Sequence, residues 1–333
     1  MIQGYTATVN RWAIWTCVFV NLLALGLALG VMLDLRPEDR VSVPRGCVLS
    51  FLGFLYFLSL YEGCLTFALG TPAGSRFCAR FRLEPADVMD ICNKAVSAIQ
   101  AAFSCITGAI VCLWSCTRDF MRTSHVVSEG YAWFGAAYFF YDIYSMYMVY
   151  VHMKTTSGAR GLARRLSGGD AVRSKPSFLQ YCRHEPVILM HHLFIGGFGF
   201  LVIVYLRGGL GDCVFGFVYL MELSTPFVSV RGILSKLQLK ASRAYLVNGV
   251  AMLLTFFMCR VVSLPLVCLM YSRVVGLSYL EAINSLPLGC KVSICILLLP
   301  QVYWFWLMAC GAVKVFAGHS TRKLDAGDHE KRS

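Results

Sequence analysis

The chain has 333 residues, 57% of them hydrophobic and only 14% charged, with a net charge of +12 and a mean hydropathy of +0.63. A soluble domain carries about 25% charged residues, so apolar runs longer than ~18 residues specify a helical, multi-pass membrane protein. The runs are continuous rather than alternating, which argues against a membrane β-barrel. The basic residues sit mainly between the runs and no RNA- or DNA-binding motif accompanies them, which argues against nucleic acid as a partner.

Eight spans follow in order. Span one, 12–33, reads as a signal anchor or as a cleaved signal peptide with Ala28-Leu29-Gly30 as the small-residue site, and its length favours the anchor. Span two, 47–69, contains Glu62. A connection with Arg76, Arg80 and Arg82 leads to span three, 88–116, whose start is polar. There Asp90 and Lys94 stand four apart in the order that favours a mutual pair. Span four, 131–151, holds Tyr138-Phe-Phe-Tyr-Asp142-Ile-Tyr-Ser-Met-Tyr147. The basic, Gly/Ser-rich connection 152–185 reads as a mobile surface loop.

Span five, 187–206, carries His191 and His192. After the Arg207-Gly-Gly-Leu-Gly211 turn, span six, 212–230, contains Glu222-Leu-Ser-Thr-Pro-Phe227, and Pro226 predicts a kink. Span seven, 245–271, contains Arg260 and Pro265. Span eight, 287–316, contains Pro300, Gln301 and Tyr303-Trp-Phe-Trp306. The polar tail from Gly318 predicts disorder. The segmentation is therefore an N-terminal membrane region 1–84, a main domain 85–316, and a polar tail 317–333.

Alternate connections share a side. One side collects 20 Lys/Arg and the other seven, so the positive-inside rule places the C-terminus in the cytosol. Nearly all of the 15 cysteines fall in apolar runs, Cys116 among them, and there they act as small hydrophobes. No C-x-x-C pair supports a metal or redox motif, and no disulfide is assignable.

Ionisable residues inside spans need partners or a function. His191 and His192 point about 100° apart on a helix. Both can border one cavity but cannot chelate a metal in the i, i+4 manner. They read either as nucleophile or general base, or as hydrogen-bonding and interfacial residues. Asp142 reads either as satisfied by neighbouring tyrosines or as orienting a histidine. Glu222 and Arg260 read as an ion pair, with Arg260 alternatively binding phosphate or carboxylate. Ser224 and Thr225 read as partners for backbone groups freed by Pro226. Chemically this is an intramembrane polar cluster beside an amphipathic-ligand cavity, with no metal set.

Five ordered blocks resemble the TLC (TRAM–Lag–CLN) domain: Tyr138–Met146, Met190-His-His, Met221–Val228, Cys259–Pro265 and Pro300–Phe305. Within that family they are similar to the ceramide-synthase-like group around TLC domain-containing protein 3, A and B forms. The resemblance spans about residues 85–316 and implies a six-helix core with one or two N-terminal helices in the endoplasmic reticulum or Golgi membrane. It implies ceramide synthesis, with fatty acyl-CoA as co-substrate, no bound cofactor, and a sphingoid base and membrane lipids as partners, alone or in homo- or hetero-oligomers. His191, His192, Asp142 and Glu222 are then the catalytic candidates, and Arg260, Ser224 and Thr225 the substrate-binding ones. The synthases' second acid in the Glu222 block aligns here with Thr225. That departure keeps a non-catalytic lipid-binding or regulatory member as the alternative, with a transporter third.

Overall fold

The computed structural model describes residues 11–163 and 176–330. They form helices α1 (Arg11–Met32), α2 (Val43–Gly70), α3 (Pro72–Phe81), α4 (Pro85–Val111), α5 (Val126–Ala163), α6 (Phe178–His184), α7 (Pro186–Leu193), α8 (Asp212–Leu220), α9 (Thr225–Lys236), α10 (Arg243–Phe256), α11 (Ser263–Val275), α12 (Tyr279–Ser285) and α13 (Leu288–Glu330). No strand occurs among the described residues. The chain is an all-α, multi-pass membrane protein. Seven segments have the length and apolarity to cross a bilayer: Arg11–Met32, Val43–Gly70, Pro85–Cys116, Pro186–Leu206, Asp212–Lys236, Arg243–Val275 and Leu288–Val313.

The tyrosine-rich α5 is less apolar but runs the full depth of the bundle. Near its start Glu129 binds Arg40 and the Val41 N–H. Near its other end Tyr147 and Tyr150 pack on Phe178, Tyr181 and His184. It is buried because α2 and α4 cover it, and Phe57, Phe134, Tyr138 and Tyr141 interlock at that seam. Gly53 permits the approach, since a Cβ there would lie 2.3 Å from the Phe134 carbonyl oxygen.

The structure revises several expectations. α5 continues to Ala163 and α6 occupies Phe178–His184, so much of the expected loop 152–185 is helical, with 164–175 outside the described residues. No proline interrupts the chain between Tyr150 and Ala163, so nothing obliges the helix to stop at the membrane edge. α13 likewise carries on to Glu330 through the expected disordered tail, a stretch with several good helix formers. Two connections hold short helices of their own, α3 and α12. The turn at 207–211 behaves as read, with Gly208, Gly209 and Gly211 at φ of 60°, 79° and 65°, values that favour glycine.

Cys116 is not merely a small hydrophobe: it forms a disulfide with Cys213. α4 and α8 meet through small residues, for a Cβ on Gly108 would sit 2.7 Å from the Gly216 carbonyl oxygen. Beyond that crossing a π-helical turn, Cys112–Cys116, carries the sulfur to its partner. The same end of the bundle is tied by Arg207 to the fully buried Asp212, whose other oxygen accepts the His125 backbone N–H at 2.8 Å.

Two outcomes follow for stability. Replacing Cys116 and Cys213 with Ser lowers stability by about 2–4 kcal/mol, read as a drop in thermal midpoint in detergent. His125 lies outside the spans, and its Nδ1 accepts the Val127 N–H at 3.2 Å. Burial holds its pKa below the ordinary value, against an opposing pull from Asp212 and Glu38, while Arg118 adds to the lowering. Folding therefore favours neutral His125. That contribution is full above the unfolded-state pKa of ~6.5 and fades as pH falls through it toward the folded value. The thermal midpoint should drop between pH 7 and pH 5, and less in His125→Asn.

Candidate functional site

Three helices meet around the carboxylate of Asp142. It is 4% exposed, and one oxygen accepts from Asn93 Nδ2 of α4 at 2.7 Å. Tyr141 donates its hydroxyl to Asn93 Oδ1 at 3.0 Å, fixing the amide's orientation. The other Asp142 oxygen lies 3.0 Å from His192 Nε2. His192 Nδ1 lies 2.8 Å from the Ile188 carbonyl oxygen, which can only accept, so Nδ1 carries a proton. A proton shared between Nε2 and Asp142 then occupies the second ring nitrogen, whichever atom holds it. His192 has no free nitrogen.

His191 differs. Neither of its ring nitrogens has a hydrogen-bond partner among the described residues, and its contacts are ring contacts with Trp304 at 5.3 Å and His192 at 6.0 Å. The ring is only half-buried. It lies roughly 8 Å along the helix from Pro186, at 1.5 Å per residue. Just past it the helix widens into a π-helical segment, Phe194–Gly199, and such segments are frequent at functional sites. Gly196 lets that segment close on α5, where a Cβ would lie 2.7 Å from the Phe139 Cβ.

A second cluster surrounds Arg260. Its Nη2 binds Glu222 at 3.1 Å and the Thr225 hydroxyl at 2.7 Å, its Nε binds Ser224 at 2.8 Å, and its Nη1 binds Gln301 at 3.3 Å. Thr225 in turn donates its hydroxyl to Glu222. Local backbone makes this possible. Pro226 lacks an N–H, and α8 gives way to a tight 3-10 turn, Met221–Ser224, that holds Glu222 and Ser224 inward. Arg260 rides a π-helical turn, Phe257–Val262, just ahead of Pro265. The kink read from Pro226 is thus present as a break between α8 and α9.

The candidate residues therefore form two groups, His192 with Asp142, and Arg260 with Glu222, Ser224 and Thr225. His191 stands between them, within the fields of His192, Arg260 and Glu222. The Asp90–Lys94 pair is present near the start of α4, flanking Asn93, and Lys236 also binds Asp87 there at 2.7 Å. Asn93, Gln301 and Trp304 stand out in the sequence as polar or aromatic residues of their spans, but nothing there assigns them to the site. The usable signal was isolation: Asn93 lies one turn from Asp90 in the polar start of its span, and Gln301 is a lone amide in an apolar run. No metal-ligating group of three or more His, Cys, Asp or Glu occurs among the described residues.

The model of the TLC domain matches residues 90–310, two thirds of the chain and all of the helices that build these clusters. The chain belongs to the TLC domain family. TLC domain-containing protein 4 of Homo sapiens is 31% identical over 135 residues, which are 40% of this chain and 50% of that protein. TLC domain-containing protein 4-A of Xenopus laevis is 31% identical over 137 residues, 39% and 50% of the respective chains. TLC domain-containing protein 4-B of Danio rerio is 31% identical over 117 residues, 33% and 43%. The chain spans about half the length of the curated relatives it matches. These relatives are forms of protein 4 rather than protein 3, so they support the TLC family and not the finer branch. Membership supports a lipid-related function in the membrane.

Breaking one partner of the Arg260–Glu222 pair should cost more than removing both, because a lone charge would remain buried. Arg260→Met is expected to lose about 3–5 kcal/mol, and Arg260→Met with Glu222→Met to recover much of it. Thermal midpoints of the detergent-purified variants test this.

Proposed function

We propose that this TLC protein makes ceramide by transferring a fatty acyl group from acyl-CoA to the amine of a sphingoid base. The observation that carries the reading is the division of labour between the histidines: His192 is fully engaged by Asp142 and Ile188, and His191 keeps its ring nitrogens free. In this reading the amine nitrogen attacks the thioester carbonyl carbon. The C–N bond forms, the C–S bond breaks, and the proton lost from nitrogen passes through His191 to the departing thiolate. His192 and Asp142 position His191 and set the charge beside it. Arg260, held by Glu222, Ser224 and Thr225, forms the opposite wall as part of a cluster that is neutral overall.

The protein 3-like branch suggested by the sequence blocks belongs to the same proposal, as does residence in the endoplasmic reticulum or Golgi membrane. The Cys116–Cys213 disulfide supports an oxidising compartment at that end of the bundle. The excess of Lys/Arg at the other end supports a cytosolic C-terminus. The histidines lie toward the basic end, which suits entry of CoA from the cytosol.

A second reading, a lipid-binding or regulatory protein without turnover, is favoured by one observation. The two carboxylates at the site, Asp142 and Glu222, are already engaged by protein partners, and Thr225 supplies no further acid. Purified protein in nanodiscs, given acyl-CoA and sphinganine, separates the two. The acyltransferase reading predicts product from wild type, a loss of about 10²–10⁴-fold in His191→Ala, and a smaller loss in Asp142→Asn. Absence of product from folded wild type at several chain lengths would leave the lipid-binding reading.

A further inference from the structure

Gln301 is the only buried residue in the spanning part of α13, residues 288–313. Its neighbours Leu299, Val302, Tyr303 and Trp306 are all exposed on the outer surface of the bundle. A helix laid against a bundle for packing alone would bury an apolar residue at that point. Gln301 instead buries an amide completely. Its Oε1 accepts from Arg260, while Nε2 has no hydrogen-bond partner among the described residues. Two N–H groups left unspent away from water are costly. Trp304 lies three residues on, hence on the same face of the helix, and its ring meets that of His191. The amide is thus held at one end by Arg260, one helical turn from the wall of His191.

We infer that Gln301 Nε2 is a hydrogen-bond donor to the carbonyl oxygen of a bound acyl lipid, holding that carbonyl beside His191. The donor is neutral. The nearest guanidinium, Arg260, is already balanced by Glu222, so an anionic headgroup would find no spare charge. A cationic amine would need an acceptor, and Oε1 is taken. A neutral acceptor such as a thioester or amide carbonyl fits both constraints. The inference takes its ligand class from the function proposed above but does not depend on turnover.

The test is equilibrium binding to full-length protein in nanodiscs, without sphinganine, of palmitoyl-CoA and of its thioether analogue in which a methylene replaces the carbonyl. Wild type should prefer the carbonyl form by about 10-fold, the worth of one buried hydrogen bond. Gln301→Met keeps the side-chain volume and removes the donor. Gln301→Glu keeps an oxygen toward Arg260 and also removes the donor. Each should bring the ratio close to one in protein whose thermal midpoint and Cys116–Cys213 bond are retained. A wild-type ratio of one, or a preference that survives in either folded variant, overturns the inference. Acyl transfer measured on the same preparations keeps the two proposals apart. Discrimination without turnover removes the acyltransferase reading and leaves the Gln301 assignment standing. Turnover without discrimination removes only the assignment.

Discussion

A carboxylate inside a membrane bundle has to be met by donors or by a positive charge, and Asp142 imposes that demand on three helices at once. Asn93 comes from α4, His192 from α7, and Asp142 itself from α5. The two bonds fix the level at which α4 and α7 pass α5, and the Tyr141 hydroxyl locks the Asn93 amide in the same register. With His192 committed to this task, the adjacent histidine is turned to a different wall of the bundle. The contrast between two identical, neighbouring side chains follows from one buried acid.

The Arg260 cluster meets the same demand in another way. A guanidinium has five N–H groups, and protein atoms accept four hydrogen bonds from this one. With Glu222 the cluster is neutral overall. An acid at the position of Thr225 would have left it negative, whereas the threonine hydroxyl both accepts from Arg260 and donates to Glu222. The backbone departs from α geometry at or next to several of these polar groups: Phe194–Gly199 just after the histidines, Met221–Ser224 at Glu222 and Ser224, and Phe257–Val262 at Arg260. Prolines 226 and 265 flank two of the three, so the sequence marks where the ladder is interrupted.

The spans were legible because length and hydropathy are one-dimensional properties, and the TLC blocks fixed their order. Asp142 was recognisable as a residue needing a partner, and a histidine was among the candidates. Which histidine was not readable, since adjacent residues differ by 100° and nothing in the sequence sets the rotation of α7. The disulfide was hidden for a similar reason. Cys116 and Cys213 look like other cysteines in apolar runs until the glycine-lined crossing of α4 and α8 brings them together. The long extensions of α5 and α13 are not legible because hydropathy marks the membrane edge and not the helix end, and nothing in the backbone requires the two to coincide.

The Cys116–Cys213 bond closes a covalent ring of chain around part of the interior. Its two ends are 97 residues apart in sequence, and the ring contains Asp142, His191 and His192. Glu222, Arg260, Gln301 and Trp304 all lie beyond it. The histidine half of the interior is thus bounded by a loop that cannot open while the sulfurs remain joined. The arginine half follows on from Cys213 through α8 and lies outside that ring, with α13 outermost and only 6% of its spanning window buried. The later helices, α13 last among them, lie outside that closed frame, so they can shift against it without parting the ring that carries the histidines.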